Sequence, residues 1–259
     1  MVTRKSRREI DQMRRAGRVV AEVLALVESE LKPGVSTGEL DRLAERHIRS
    51  SGAIPSFMGY LGGGRYGRGP HAFPASTCIS IDDEVVHGIP GDREIKSGQL
   101  VSVDVGAIVD GWHGDGARSF VVGDVSPEVR DLVDSTRLAM MAGIAAAVPG
   151  AHLGDISAAI EDVAAPHGYG IVRQFVGHGI GTEMHQEPQV PNYRTGIRGM
   201  KLQPGICLAI EPMLTLGRHE VEVKPDGWTV VTSDGSLAAH FEQTIAITDA
   251  GPEILTTVA

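Results

Sequence analysis

The chain is poor in cysteine. Its only two, Cys78 and Cys207, lie far apart in 259 residues and form no metal-type pair. They read as reduced thiols of a reducing compartment rather than as a covalent framework. Positive charge is also in deficit, with 24 Lys and Arg against 33 Asp and Glu and a net charge of −9. That balance excludes a broad nucleic-acid surface, because phosphate binding is mainly Lys and Arg work. No apolar run approaches the roughly 20 residues that a membrane span requires. The basic start (Arg4, Lys5, Arg7, Arg8) is not followed by a continuous apolar stretch, so it is not a signal peptide. A cytoplasmic protein is expected. The same basic run suits either a transient contact with an anionic partner such as a ribosome or a solvated helix start, and the second reading is preferred.

What is present describes a soluble globular chain, 42% hydrophobic and 22% charged, long enough for one large core. Ser6 with Glu9 three residues on is a capping-box signature. Ile10, Met13, Val20, Leu24, Val27 and Leu31 follow at helical spacing, and Pro33-Gly34 stops the helix. Ser36 and Glu39 open a second helix with Leu40, Leu43 and Ile48 on one face, ended by Gly52. The second half repeats this plan. Ser126-Pro127-Glu128 caps a helix with proline at its first position, and Pro149-Gly150 stops it. Gly154-Asp155-Ile156 then echoes Gly38-Glu39-Leu40. An offset of 116 aligns Pro33 with Pro149, Gly34 with Gly150 and Gly52 with Gly168. The expectation is a basic segment over residues 1–9, then a single domain over 10–259. That domain has two related α+β halves, about 10–123 and 124–255, with sheets lining one cleft.

The strand-rich parts are Thr77 to Ile81, Gln99 to Val122, Ile206 to Glu211 and Gly227 to Thr248. Asp110-Gly111 is a two-residue hairpin signal between apolar flanks. If it is the turn, Val109 pairs with Trp112 and Gly106 with Asp115, which makes Asp104 and Asp115 diagonal neighbours on one face. Such neighbours are about 7–8 Å apart at the backbone, within reach of side chains. Two acids placed together would repel unless a cation, a proton or an arginine sits between them. Glu211 ends the apolar run Leu208-Ala209-Ile210, and Glu242 stands beside apolar strand positions in His240-Phe241-Glu242-Gln243-Thr244-Ile245. Burying an unpaired carboxylate is costly, and a metal relieves the cost. His178 lies in Gly177-His178-Gly179-Ile180-Gly181, where glycine density argues against a helix and for close backbone approach. A lone histidine there would be structural. Four acids in similar strand-end settings favour a ligand.

These phrases, with Glu84-Val85-Val86-His87-Gly88-Ile89-Pro90, Asp110-Gly111-Trp112-His113-Gly114-Asp115 and Ala209-Ile210-Glu211-Pro212-Met213, resemble the type I methionine aminopeptidase family. The resemblance runs from about Ile10 to Leu255, and no long insertion of the type II kind separates His178 from Glu211. It implies the pita-bread fold, an α+β architecture of two pseudo-symmetric halves whose antiparallel sheets line a central dinuclear metal cleft. It implies Asp104, Asp115, His178, Glu211 and Glu242 as ligands of two divalent ions, with Asp115 and Glu242 bridging. Asp104 would hold one ion, and His178 with Glu211 the other. Oxygen-rich ligation with one imidazole suits Mn, Fe(II) or Co better than a structural zinc site, and Zn stays among the candidates.

The activity implied is removal of the initiator methionine from nascent polypeptides with a small second residue, by metal-activated hydroxide. Glu211 would shuttle protons, His185 would hydrogen-bond near the scissile amide, and His87 would orient the substrate. By the same resemblance Phe73, Cys78, Met184, Trp228 and Tyr60 form the methionine pocket. Phe73 replaces a tyrosine of some relatives and Met184 a phenylalanine. A Gly- and Arg-rich insertion over residues 61–70 reads as a surface loop in preference to a lid. Cys78 reads poorly as a nucleophile, and Trp112 reads as packing. An X-Pro peptidase or a metal-free binding protein on the same fold are the alternatives. The first usually carries a further N-terminal domain, for which the chain has no room. The second would show a lost ligand. A monomer is expected.

Overall fold

The computed structural model describes residues 2–61 and 72–258. All of the 61–70 insertion except Leu61 therefore lies outside the described residues. Among the described residues four α-helices are built as their sequences prescribe. Helix α1 (Arg7–Glu30) starts on the reciprocal Ser6–Glu9 box and buries Ile10, Met13, Val20, Leu24 and Val27. Helix α2 (Thr37–Ser50) repeats the box with Ser36 and Glu39 and buries Leu40 and Ile48, while Leu43 stays half-exposed. Helix α3 (Pro127–Ala146) takes its cap from Ser126, whose hydroxyl accepts from Val129 N–H. Helix α4 (Leu153–Ala164) starts where Asp155 accepts from the His152 N–H at 2.7 Å.

The helices cover a nine-stranded antiparallel sheet. Its central order is Ile54–Pro55, Gln99–Val109, Trp112–Val122, Glu242–Thr248, Cys207–Ile210, Gly177–Gly179 and Gln186–Val190. Thr77–Ile81 pairs with Gln99–Val109, and Gly251–Ile254 with Glu242–Thr248. The hairpin forms in the expected register, Val109 opposite Trp112 and Gly106 opposite Asp115. Asp110 (φ 50°) and Gly111 (φ 82°) both lie in the left-handed region that this two-residue turn demands. Two small sheets complete the fold. One joins Ala238–His240, Met213–Thr215 and Gly170–Ile171, and the other joins Val221–Val223, Val230–Thr232 and Glu84–Val86.

Burial follows the helices. One apolar core joins α1 and α2 residues (Val20, Leu24, Leu40, Ile48) to Ile79, Val101 and Val103. Another joins α3 and α4 residues (Leu132, Met140, Ile156, Ile160) to Leu208, Ile210 and Ile245. Both sets of strands belong to the same sheet, so the sheet is the shared floor of the two cores.

One expectation for the basic start needs correction. Arg4, Arg7 and Arg8 are exposed, but Lys5 is only 9% exposed and its ammonium donates to Gln186 Oε1 at 3.1 Å. The reason is space. A Cβ at Gly181 would lie 2.8 Å from Lys5 Cε, and one at Gly205 would lie 2.7 Å from the Lys5 carbonyl oxygen. These glycines let the lysine lie flat against the sheet, and its long aliphatic stem tolerates that burial.

Candidate active site

Five neighbouring strands or strand ends each deliver one chemistry-bearing side chain. In sheet order these are Asp104, Asp115, Glu242, Glu211 (just past Cys207–Ile210) and His178. Register explains why they converge. Asp104 and Glu242 both lie opposite Ala117, on its two sides, and Asp115 is two residues from Ala117. His178 lies opposite Ala209, and Ala209 opposite Thr244. Glu211 and Glu242 are each two residues from those positions. Strand side chains alternate with period two, so all five point to one face. The sequence register of a single hairpin thus extends across the whole sheet.

The glycines around His178 act by close approach. A Cβ at Gly177 would lie 2.5 Å from the Ala209 carbonyl oxygen, and one at Gly179 would collide with that of Glu187. Bare backbone is the only form that fits between two flanking strands. The segment is therefore a short strand, which the sequence reading described only as non-helical. His178 Nδ1 lies 3.0 Å from the Gly179 carbonyl, which fixes the Nδ1–H tautomer and turns Nε2 toward Glu211 Oε1 at 3.3 Å.

The electrostatics of the cluster are unfavourable for a protein alone. Burial pushes the Asp104 carboxyl up to about 7. Burial and the neighbouring Asp104 raise Asp115 far above the usual carboxylate range. Glu211 and Glu242 rise for the same two reasons, burial first and then Asp115. Burial also drops the His178 imidazole to about 3, keeping it neutral. Asp104 Oδ1, Asp115 Oδ1 and Glu242 Oε1 are buried without a hydrogen-bond partner among the described residues. Buried carboxylates lacking a donor are normally satisfied by an ion. Ligand atoms of Asp115, His178 and Glu242 all lie within 4.8 Å of one another. Four hard oxygen donors and one neutral imidazole fit a divalent cation. These side chains are suited to hold metal.

The cluster forms the floor of a cavity of about 660 Å³. One wall is apolar, where Phe57, Phe73, Ala75, Cys78, Met184 and Trp228 pack together with Tyr60 beside them. Phe73 meets Trp228 edge to face at 5.3 Å and Phe57 at 6.5 Å. All five pocket residues expected from the sequence lie in this wall. Phe57 was missed, and it is seated because a Cβ at Gly106 would lie 2.8 Å from its ring. Cys78 faces Asp104 across the sheet. Burial, with Asp104 and Asp115 nearby, raises its thiol far above the ordinary value, which disfavours the nucleophilic thiolate.

The histidines occupy different places. His87 adopts φ 60° and presents its ring edge to face with Phe175 at 5.4 Å and Trp228 at 6.3 Å. His185 stands at the mouth, its ring 4.3 Å from that of His178 and its Nδ1 2.8 Å from Tyr60 Oη. His240 also lines the cavity, 2% exposed and with Nε2 unpartnered among the described residues, and no sequence signal distinguished it from its strand neighbours.

Fold and site together define a hydrolase class that works with a divalent metal inside a pita-bread scaffold. The sequence pattern of metallopeptidase family M24 matches residues 11–249, and the chain belongs to that family. A methionine aminopeptidase of Clostridium acetobutylicum is 50% identical over 257 residues, covering 99% of each chain. The crystal structure of methionine aminopeptidase from Rickettsia prowazekii superposes with a TM-score of 0.93 at 41% identity, covering 99% of this chain and 100% of that one. Prolidase from Pyrococcus furiosus shares the fold alone, with a TM-score of 0.77 at 21% identity over 99% of this chain and 66% of that one.

Proposed function

We propose that this protein removes the N-terminal methionine from polypeptides whose second residue is small. The observation that carries the reading is the shared cavity, in which an apolar, sulfur- and aromatic-lined wall opens directly onto the five-residue cluster. An unbranched thioether side chain fits such a wall. Its backbone amine and first carbonyl then fall over the carboxylates. We assign two divalent ions to the site. Asp104, Asp115, His178, Glu211 and Glu242 would hold them. Mn, Fe(II), Co and Zn are the candidate ions. When bound, the pair supplies Lewis acidity toward the scissile carbonyl and the attacking water.

The chain's own groups do the rest. Glu211 accepts a proton from the attacking water at its carboxylate and returns it to the leaving amine. His178 stays neutral and keeps one tautomer because Gly179 holds its Nδ1–H. His185, oriented by Tyr60, stands at the mouth where the scissile amide lies, and stabilises charge developing there. His87, edge to face with both Phe175 and Trp228, orients the substrate against the apolar wall. The protein acts on nascent chains in the cytoplasm as a monomer. No described helix is long and apolar enough to cross a membrane. A transient ribosome contact through Arg4, Arg7 and Arg8 stays compatible with their exposure.

One assay tests the reading. Metal is stripped with a chelator, and Mn, Co, Fe(II) or Zn is restored singly. Met-Ala-Ser, Met-Lys-Ser and Ala-Pro-Ser peptides are then compared. Metal-dependent release of methionine from the first alone is expected. Activity that survives chelation, or preference for the proline peptide, overturns it. Absence of any turnover supports a binding protein instead.

A further inference from the structure

We infer that Glu84, clasped by Arg93 and Lys224, is a positioning residue that holds Trp228 and His87 in register across the substrate pocket. The inference rests on the reading of that pocket given above. Glu84 is 4% exposed, yet it is fully satisfied. Arg93 grips it with both terminal nitrogens, at 2.9 and 2.6 Å, Lys224 Nζ donates at 2.8 Å and the Ile81 N–H at 3.0 Å. The two cations net against burial hold the carboxyl below its usual range. The carboxylate lies outside the metal cluster and plays no part in the chemistry described so far.

The Glu84–Lys224 bond ties together two segments that each lead to a pocket residue. Glu84–Val86 runs directly into His87, which adopts φ 60°. Gly88 donates to Ser80 Oγ at 3.1 Å, and its carbonyl accepts from Ile79 N–H at 2.9 Å. Lys224 opens the loop that carries Trp228. Its N–H donates to the Thr229 carbonyl at 2.8 Å, and Asp226 Oδ1 accepts from the N–H groups of Trp228 and Thr229, each at 2.8 Å. The loop is thus stiff within itself. Its outer strand, Val221–Val223, is mostly exposed, with Val223 at 49%, so little apolar burial presses that side onto the body. The Lys224–Glu84 bond supplies a fixed point there. Inner pairing puts Val231 opposite Glu84 and Val230 opposite Val86, with a register shift between them. Such an irregularity locally loosens the ladder. A charge-assisted bond to a buried carboxylate compensates at that place.

The geometry that the clasp controls is the edge-to-face contact of His87 with Trp228 at 6.3 Å. A role in ground-state binding alone raises KM and leaves kcat unchanged.

The test uses the metal-loaded full chain with Trp112→Phe, which leaves Trp228 as the only tryptophan. Lys224→Met removes the ammonium and keeps the stem, and Lys224 is exposed enough that folding survives. Glu84→Gln is the second variant. Each should raise the acrylamide quenching constant of Trp228 about twofold and raise KM for Met-Ala-Ser about tenfold, with kcat within about twofold. Lys224→Arg should restore both. A lower melting temperature with quenching and KM unchanged would show a purely structural ion pair and overturn the inference. Unchanged values throughout would overturn it equally. Quenching needs no turnover, so a parent protein without aminopeptidase activity refutes the proposed function and leaves the clasp separately readable.

Discussion

Two stretches of backbone, residues 34–38 with 91–95 and residues 150–154 with 198–202, are built alike bond for bond. Gly34 N–H donates to the Ile95 carbonyl at 2.9 Å, and Gly150 N–H to that of Leu202 at 2.9 Å. Gly38 donates to Gly91 at 2.8 Å, and Gly154 to Arg198 at 2.9 Å. Ile95 answers to Val35 at 2.8 Å, and Leu202 to Ala151 at 2.7 Å. The positive φ values repeat too, 91° and 92° at Gly34 and Gly150, then 89° and 94° at Gly98 and Gly205. From each of the last two glycines the chain runs six residues to a carboxylate, Asp104 or Glu211. The side chains then diverge. Asp104 sits in mid-strand, and Glu211 falls just past a strand end beside His178. The repeat is a backbone device that delivers an acid from each side. The chemistry lies in what differs at the tips.

The largest effect separates those tips. Asp104→Ala should leave the fold intact and lower turnover of Met-Ala-Ser by more than about 100-fold, since even outer-shell partners of a metal cost about 10–100-fold. Glu211→Gln should fail as severely, yet retain more metal by calorimetry because its carbonyl oxygen still coordinates weakly. Equal metal loss in both would show that Glu211 is a ligand and nothing more.

The second effect concerns stability without metal. Asp104 is raised to about 7, and its three neighbouring carboxylates also rise, chiefly through burial. Acids whose folded pKa exceeds the unfolded value of about 4 hold their protons more tightly when folded. Their contribution is present below that unfolded value and is lost as pH rises toward 7 and beyond. The buried imidazoles His87, His113, His178, His185 and His240, held neutral at about 3 to 4 chiefly by burial, act in the opposite direction as pH falls below 6.5. The acid share is therefore read from a variant: in metal-free protein Asp104→Ala should shift the melting temperature upward at pH 7.5 relative to its effect at pH 5. Loading with Mn should remove the dependence by binding only the folded state. An Asp104→Ala effect that is the same at pH 5 and at pH 7.5 in the chelated protein would show that another cation neutralises the cluster.

Much of this site was legible because its determinants are local. The Asp110-Gly111 turn sets the relation of Asp104 to Asp115, and apolar runs that end on Glu211 and Glu242 mark carboxylates at a buried edge. Glycines 177, 179 and 181 announced close approach, though which carbonyls approach them depends on strands Cys207–Ile210 and Gln186–Val190. Other features depend on long-range partners and left no local mark. Phe57 joins the pocket only because Gly106 lies opposite, and Glu84 is buried because Lys224, 140 residues away, reaches it. His240 looks like any polar strand residue until the small sheet turns it into the cavity. Burial of Lys5 runs against its composition, since a basic start reads as solvated wherever no groove is visible.

The repeated backbone makes a paired prediction of moderate size. A Cβ at Gly38 would lie 2.9 Å from the Gly91 carbonyl oxygen, and one at Gly154 would lie 2.8 Å from that of Ile197 and 3.0 Å from that of Arg198. Gly38→Ala and Gly154→Ala should each cost about 2–3 kcal/mol, because backbone must shift to admit the methyl. Denaturant unfolding measures both. Near-equal losses are expected, and a loss at one site only would mean that the two segments are alike in shape but not in rigidity.

The smallest effect isolates conformation from packing. Among the described residues a Cβ at Gly34 would meet nothing within 4 Å, and one at Gly150 would meet only Lys201 Cε, at 3.7 Å. Both sites hold φ near +90°, which L side chains rarely adopt. Gly34→Ala and Gly150→Ala should each cost about 1 kcal/mol through the backbone alone, below the Gly38 and Gly154 variants. In a chain of this size that is a fall of about 2–4 °C in melting temperature. Because nothing is pushed aside, neither should alter KM for Met-Ala-Ser. A KM change at Gly150 but not at Gly34 would mean that the second copy of the turn communicates with Glu211 and the first does not reach Asp104.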